Sequence, residues 1–172
     1  MSPRVRLSLA LLAWLAPQVS WACDQLFVQV SGIPGASTDA NHQGWIEAVG
    51  FSEAATRPVG PGAAASGPAQ FSDLVIVKLI DRASPLLRIA VADGRSIPQV
   101  HLDCVNASGA STFEIELEGV VLTQASTAFA HGDQSGPRES IGFNFSRIRW
   151  TVNDQTGNQV QAGWDRSTGR SF

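Results

Sequence analysis

The residues with the means to do chemistry are three histidines, a row of glutamates and a set of tryptophans. His101 and Asp103 stand two apart in IPQVHLDCV. On an extended strand both project from one face and could share a metal ion. Catalytic zinc takes three protein ligands, and no third is spaced to join them. An ordinary polar pair on an exposed strand face is the simpler reading. His131-Gly132-Asp133 falls in AHGDQSGPRES, where turn chemistry accounts for the composition. His42, in TDANHQGWIE, lies between a turn and a strand, a place for a structural or surface histidine. Glu114, Glu116 and Glu118 alternate with Phe113, Ile115 and Leu117. Carboxylates that work as acid and base need a cleft that separates their pKa values, and alternation supplies only a wet strand face. A nucleophilic serine lacks its G-x-S-x-G marker. Trp45, Trp150 and Trp164 could stack on sugars, but each sits in an apolar strand context that favours packing. This inventory points to no catalytic site, no metal site and no cofactor.

The elements that carry these residues are mostly strands. In DQLFVQVSG, Leu26, Val28 and Val30 share a face, and the chain turns at Gly32-Ile33-Pro34-Gly35. GWIEAVGF is a second strand. EAATRPVGPGAAASGPAQ, residues 53–70, is rich in small residues, glycine and proline and has no period. It reads as an exposed loop, or as a segment that orders against a partner. FSDLVIVKLID resumes a strand. In SPLLRIAVADG, Ser84 suits an N-cap, Pro85 the first helical position and Gly94 the place just past the end. Leu86, Leu87, Ala90 and Val91 would form the apolar stripe of that helix. IPQVHLDCV sets Val100, Leu102 and Cys104 against Gln99, His101 and Asp103. TFEIELEGVVL is the clearest half-buried antiparallel strand. In ESIGFNFSRIRWTV the apolar parity switches at Ser146-Arg147, through a bulge or through burial of both faces. QVQAGWD is a short last strand. About seven strands and one helix describe a mainly β barrel or sandwich.

The first 22 residues have another layout. Arg4 and Arg6 precede the apolar run LSLALLAWLA, Pro17 breaks it, and Ser20 and Ala22 are small residues before a cleavage point. This is the pattern of a secretory signal. The run is shorter than the roughly 20 residues of a membrane-spanning helix. Residues 1–22 are thus expected to be a leader and residues 23–172 a single mature domain, exported to the periplasm or beyond. Cleavage after Ala22 removes two of 12 basic residues and none of 15 acids, taking the net charge from −3 to −5. A mildly acidic chain is poorly suited to nucleic acid, whose phosphates require clustered cations. Cys23 would then be the first residue. A disulfide to Cys104, a lipid on Cys23 and a free buried thiol at Cys104 stay open. Ser20 and bulky Trp21 before Cys23 favour cleavage without lipid, and an even cysteine count in an exported chain permits one bridge.

Four stretches, taken in order, resemble the haemolysin-coregulated protein (Hcp) family, the tube proteins of type VI secretion. LFVQVSGIPGASTDANHQGWIEAVGF resembles the family's opening, with its turn, its histidine and the IE that follows. FSDLVIVKLIDRASPLLRIAVADGRSIPQVHLDC resembles the central block through Phe71, Lys78, Asp81, Ser84, Pro85, Leu87, Ala90, Gly94 and Ile97. ESIGFNFSRIRWTV and AGWDRSTGR resemble the closing strands. The resemblance implies a β-barrel of two packed antiparallel sheets with one flanking α-helix. It implies hexameric rings of this chain that stack into a tube, effector cargo in the lumen, and other type VI components as partners. It places Ser52 near the lumen. It makes residues 53–70, including Glu53, Arg57, Pro61 and Gln70, the loop that contacts the next ring. Where the family's strand ends in tryptophans, this chain has Phe51-Ser52-Glu53, and its loop is rich in alanine. Two further readings stand beside the tube: an exported monomeric binding module that kept the barrel, and an exported enzyme using His101 or His131.

Overall fold

Strand parity becomes a sheet that closes on itself. The computed structural model describes residues 23–132, 134, 136–154 and 157–172, so the expected leader, residues 1–22, lies outside the described residues. The elements run β1 (Gln25–Val30), β2 (Ile46–Ser52), β3 (Ala55–Thr56), β4 (Gln70–Phe71), β5 (Leu74–Leu79), α1 (Ser84–Asp93), β6 (Ser96–Val105), β7 (Ser111–Ala128), β8 (Arg138–Asn144), β9 (Arg147–Asn153), β10 (Gln159–Asp165) and β11 (Arg170–Ser171). The main sheet has the order β11-β10-β9-β7-β6-β1-β2-β5-β8, and β8 pairs back onto β7. Six strands therefore form a closed barrel, and β9, β10 and β11 extend from it. The pairings are antiparallel. The expected mainly β barrel with one flanking helix is what the chain forms.

One long strand makes this possible. The first half of β7 pairs with β9, from Phe113↔Val152 to Glu118↔Arg147, and its second half with β8, from Val121↔Asn144 to Ala128↔Arg138. The junction is Gly119, whose φ of 60° suits a residue without Cβ. A Cβ there would lie 2.9 Å from Ser146 Oγ, and the Ser146 N–H donates to Glu118 C=O at 3.0 Å. The parity switch at Ser146-Arg147 is this corner: two strands, β8 and β9, meet there where one continuous strand was expected.

The barrel interior is Leu26, Val28, Val30, Ile46, Leu74, Ile76, Val100, Leu102, Ile115, Leu117, Ile141 and Phe143, all buried. Each such side chain contributes about 1.5–3 kcal/mol relative to exposure. On α1, Leu87 and Ala90 face this core with Ala83, whereas Leu86 is exposed. Val91 packs against the core beside them, so the expected stripe holds at Leu87, Ala90 and Val91 and fails at Leu86, where Ala83 and Ser84 fill the inward line one turn before Leu87.

Candidate functional site

Residues 53–70 were expected to be patternless, yet they fold back as a two-stranded arm. Ala55 pairs with Phe71 and Thr56 with Gln70. Val59 bridges Ala65, and the tip makes a tight turn over Pro61–Ala63. The Ser66 N–H donates to Pro58 C=O at 3.0 Å and the Gly60 N–H to Ala64 C=O at 2.8 Å. Ser52, Arg57, Pro61 and Gln70 are exposed, and Glu53 is half-buried. Little of the arm touches the barrel, so its surface is free for contact.

An aromatic cluster roots the arm. Phe71 lies 6.2 Å from the rings of Phe145 and Trp150 and 6.3 Å from Trp164. Phe51 stacks on Phe113 at 6.1 Å. Trp150 Nε1–H donates to Glu53 Oε1 at 3.3 Å, and Glu53 Oε2 is buried with no partner among the described residues. Trp150 and Trp164 pack against the core, and Trp45 is half-buried against His42 and His101. The tryptophans thus join elements together and present no open row for a sugar.

A buried polar network ties the helix to the barrel. Lys78 is wholly buried, and Nζ donates to Leu79 C=O at 2.7 Å, Asp81 Oδ1 at 2.8 Å, Ser84 Oγ at 3.0 Å and Glu139 Oε2 at 3.2 Å. Glu139 is also buried, accepts from Arg88 Nη2 at 2.6 Å and from the Ser84 hydroxyl, and bridges β8 to α1. Burial pushes its carboxyl up, but hydrogen bonds from Ser84, Arg88 and Lys78 outweigh burial and hold it below the ordinary glutamate value. Ser84 is not the cap: it is the first residue of α1, and its hydroxyl accepts the Asp81 N–H at 3.0 Å. Ala83 holds the N-cap position without a side-chain bond, and Asp81 fixes the turn before it, with Oδ1 accepting the Ala83 N–H at 2.9 Å. Ser84 is drawn inward by the buried charges. Pro85 lies in the first turn, and Gly94 ends the helix with φ 62°.

His101, Asp103, Glu114, Glu116 and Glu118 lie on the outer face of β6 and β7. His101 and Asp103 take different partners. His101 Nε2 lies 2.9 Å from Glu114 Oε2. Asp103 Oδ2 lies 2.8 Å from His42 Nε2, while its Oδ1 accepts from Ser111 Oγ at 2.6 Å. His42 is buried, stacked on Phe27 at 4.2 Å, with Nδ1 at 2.8 Å from Asp39 Oδ1. The hydrogen bond to His42, with the Asn41 N–H, holds the Asp39 carboxyl below its ordinary value. This clasp pins the turn between β1 and β2 over β1. Glu116 pairs with Arg149 at 2.6 Å and Glu118 with Arg147 at 2.7 Å, under the ring of Phe172, 4.1 Å from Arg147. The row is a cross-strand ladder in which Glu116 and Glu118 take arginines and Glu114 takes His101 and Asn153. Among the described residues no group of three His, Cys, Asp or Glu side chains could hold a metal ion. His131 is exposed, and Asp133 lies outside the described residues.

Cys23 and Cys104 are bonded, with Cα atoms 5.2 Å apart, within the span of ordinary disulfides. The bond fastens the segment before β1 to β6, beside the Asp24 N–H to Val105 C=O bond of 2.9 Å. Neither cysteine is free. Among the described residues no helix is long and apolar enough to cross a membrane.

Sequence reasoning missed the Lys78–Glu139 pair, although both side chains stood in the quoted motifs. A lysine within LVIVKL, on the same parity as Leu74 and Ile76, was the available signal. The His42 clasp had only its place before a strand to announce it, because Asp39 is near but Asp103 lies 61 residues along the chain.

Comparison with known proteins bears on this arrangement. The profile of the family described as "Type VI secretion system effector, Hcp" matches residues 27–152. Protein hcp1 of Pseudomonas aeruginosa is 27% identical over 152 residues, covering 81% of this chain and 93% of that one. The crystal structure of Hcp1 from Salmonella typhimurium superposes with a TM-score of 0.77 at 24% identity, over 86% of this chain and 98% of that one. A type VI secretion system effector from Yersinia pestis superposes with a TM-score of 0.71 at 25% identity, over 81% and 98% of the two chains.

Proposed function

The chain belongs to the Hcp family of type VI secretion proteins, and on that premise we propose that it builds homohexameric rings that stack through the arm of residues 53–70 and carry effector cargo in the lumen. The observation that carries this reading is the arm. It is a paired projection, rooted at Glu53 and Phe71, and its residues 54–59 and 61–66 are exposed. A projection held by an aromatic cluster at its base is already ordered before it meets a partner, which lowers the entropic cost of assembly. Sixfold rings need a heterologous contact that closes, and Ser52, at the foot of the arm, would lie towards the lumen. Arg57, Pro61 and Gln70 would meet the next ring. The activity is structural; His42, His101, Glu114, Glu116 and Glu118 are engaged in holding strands and turns.

Export through a leader of its own, cleaved after Ala22, is part of the same proposal. The signal-like layout of residues 1–22 supports it, as does a pairing of Cys23 with Cys104 that suits an oxidising compartment. Residues 23–172 are then the mature unit, with Cys23 bridged and carrying no lipid. Native mass spectrometry of protein recovered from the periplasm tests both parts. Six copies of a chain beginning at Cys23, without lipid mass, is the expected result. A monomer at high concentration would favour an exported binding module instead. A chain that keeps residues 1–22 would remove the leader.

A further inference from the structure

Resting on that reading of the arm, we propose that the outer edge of β10 is where the arm of a second copy docks, by adding a strand through backbone pairing. The barrel proper has no free edge, since β7 pairs with β8. The extension does. β11 covers only one end of β10, through Trp164↔Ser171 and Asp165↔Arg170, with Gly163 and Phe172 exchanging N–H to C=O bonds of 3.2 and 3.1 Å. Outward and inward backbone groups alternate along a strand. Gly163 points outward, so Gln161 and Gln159 do too. Their outward N–H and C=O groups have no partner among the described residues. Residues 159–162 are all exposed, Val160 at 69%.

Proteins usually protect such an edge with lysine, proline, a bulge or a covering element. From Gln159 to Gly163 this strand has no charge and no proline. An open, neutral, partly apolar edge is a template for a further strand.

The arm offers the matching edge. Pro58 C=O accepts from Ser66 and Ala54 C=O from Ser72, so the even-numbered residues turn towards the arm's own second strand. Ala55, Arg57 and Val59 therefore turn outward, all exposed. Proline has no N–H to donate, and the arm's prolines stand at 58, 61 and 68, none of them at these outward positions. Outward donors two residues apart on the arm thus meet outward groups two residues apart on β10. Charge does not oppose the match: Arg57 is the only charged residue from Ala54 to Phe71, and residues 159–163 of β10 carry none. Within one chain the two edges do not pair. A contact this short buries far less than the roughly 1,200 Å² of a stable pair of proteins. It therefore holds where many copies repeat it, as in stacked rings.

Gln161→Pro removes one outward N–H and leaves the β9–β10 ladder intact. Val160→Lys places an edge-protecting charge at an exposed site. Sedimentation and electron microscopy would be read beside thermal melts, with the parent protein and a form whose arm is replaced by a short turn. The expected result is parent-like melting for both variants and a concentration for half-assembly raised about tenfold or more. If Gln161→Pro does not fold, Val160→Lys decides. If both variants assemble like the parent while the arm-shortened form does not, the arm reading stands and the β10 edge is wrong. If the arm-shortened form also assembles like the parent, or the parent does not assemble, both fail.

Discussion

Replacing Lys78 by Met tests how the helix is held to the barrel. The side chain is wholly buried, and its ammonium meets four acceptors between 2.7 and 3.2 Å. Methionine preserves most of the volume, so the loss is chiefly of charge. Asp81 keeps the Ala83 N–H at 2.9 Å, but Glu139 is left buried against Arg88, whose side chain is 44% exposed. Removing one partner of a buried pair costs about 3–5 kcal/mol, because the other charge stays desolvated. For a chain of this size that corresponds to a fall in melting temperature of roughly 6–20 °C. Urea unfolding should give the same ordering. The double variant Lys78→Met/Glu139→Leu removes both charges and should recover most of the loss, since apolar replacement of a whole buried pair is often close to neutral. The double-mutant cycle would then show a coupling of about 1–3 kcal/mol. A loss below about 1 kcal/mol for the single variant, or a double variant equal to the sum of its parts, would refute the reasoning.

Three other outcomes are expected. The Cys23–Cys104 bond closes a separation of 81 residues, for which the chain-entropy relation gives about 4.5 kcal/mol and typical bridges about 2–4; Cys23→Ser/Cys104→Ala should melt lower by that amount and no longer respond to reductant, and equal melts for oxidised and reduced parent would contradict it. Because the Glu139 carboxyl is held below its ordinary value of 4.5, its contribution is present above that pH and fades as pH falls through the lowered value; Glu139→Gln should flatten urea stability in that acid window, and an unchanged slope would count against the network. Phe71→Ala should loosen the arm's root at a cost of about 2 kcal/mol, less than for a fully buried ring, with faster amide exchange in residues 53–70; unchanged exchange would mean the cluster does not hold the arm.

Most of the barrel was legible because a half-buried strand prints its parity in the chain. Leu26, Val28 and Val30, then Val100, Leu102 and Cys104, face the core as read. The corner at Ser146-Arg147 showed as a parity break, but its partner Gly119 did not, since a glycine between Glu118 and Val120 has no side chain to reveal which way it faces. The arm was hidden for a different reason. Two-residue strands such as Ala55–Thr56 are too short to show a period, and a pairing between residues 14 to 16 apart leaves no local signal. Lys78 and Glu139 are 61 residues apart, so neither carries a mark of the other. The role proposed for the arm rests on family resemblance, while its root at Phe71, Trp150 and Trp164 came from the fold.

The central claim is that this domain assembles into rings. Native mass spectrometry of purified residues 23–172, oxidised and at micromolar concentration, measures it most directly. The account predicts a species of six copies, with multiples of six where rings stack. A mass of one copy over the whole concentration range would contradict it.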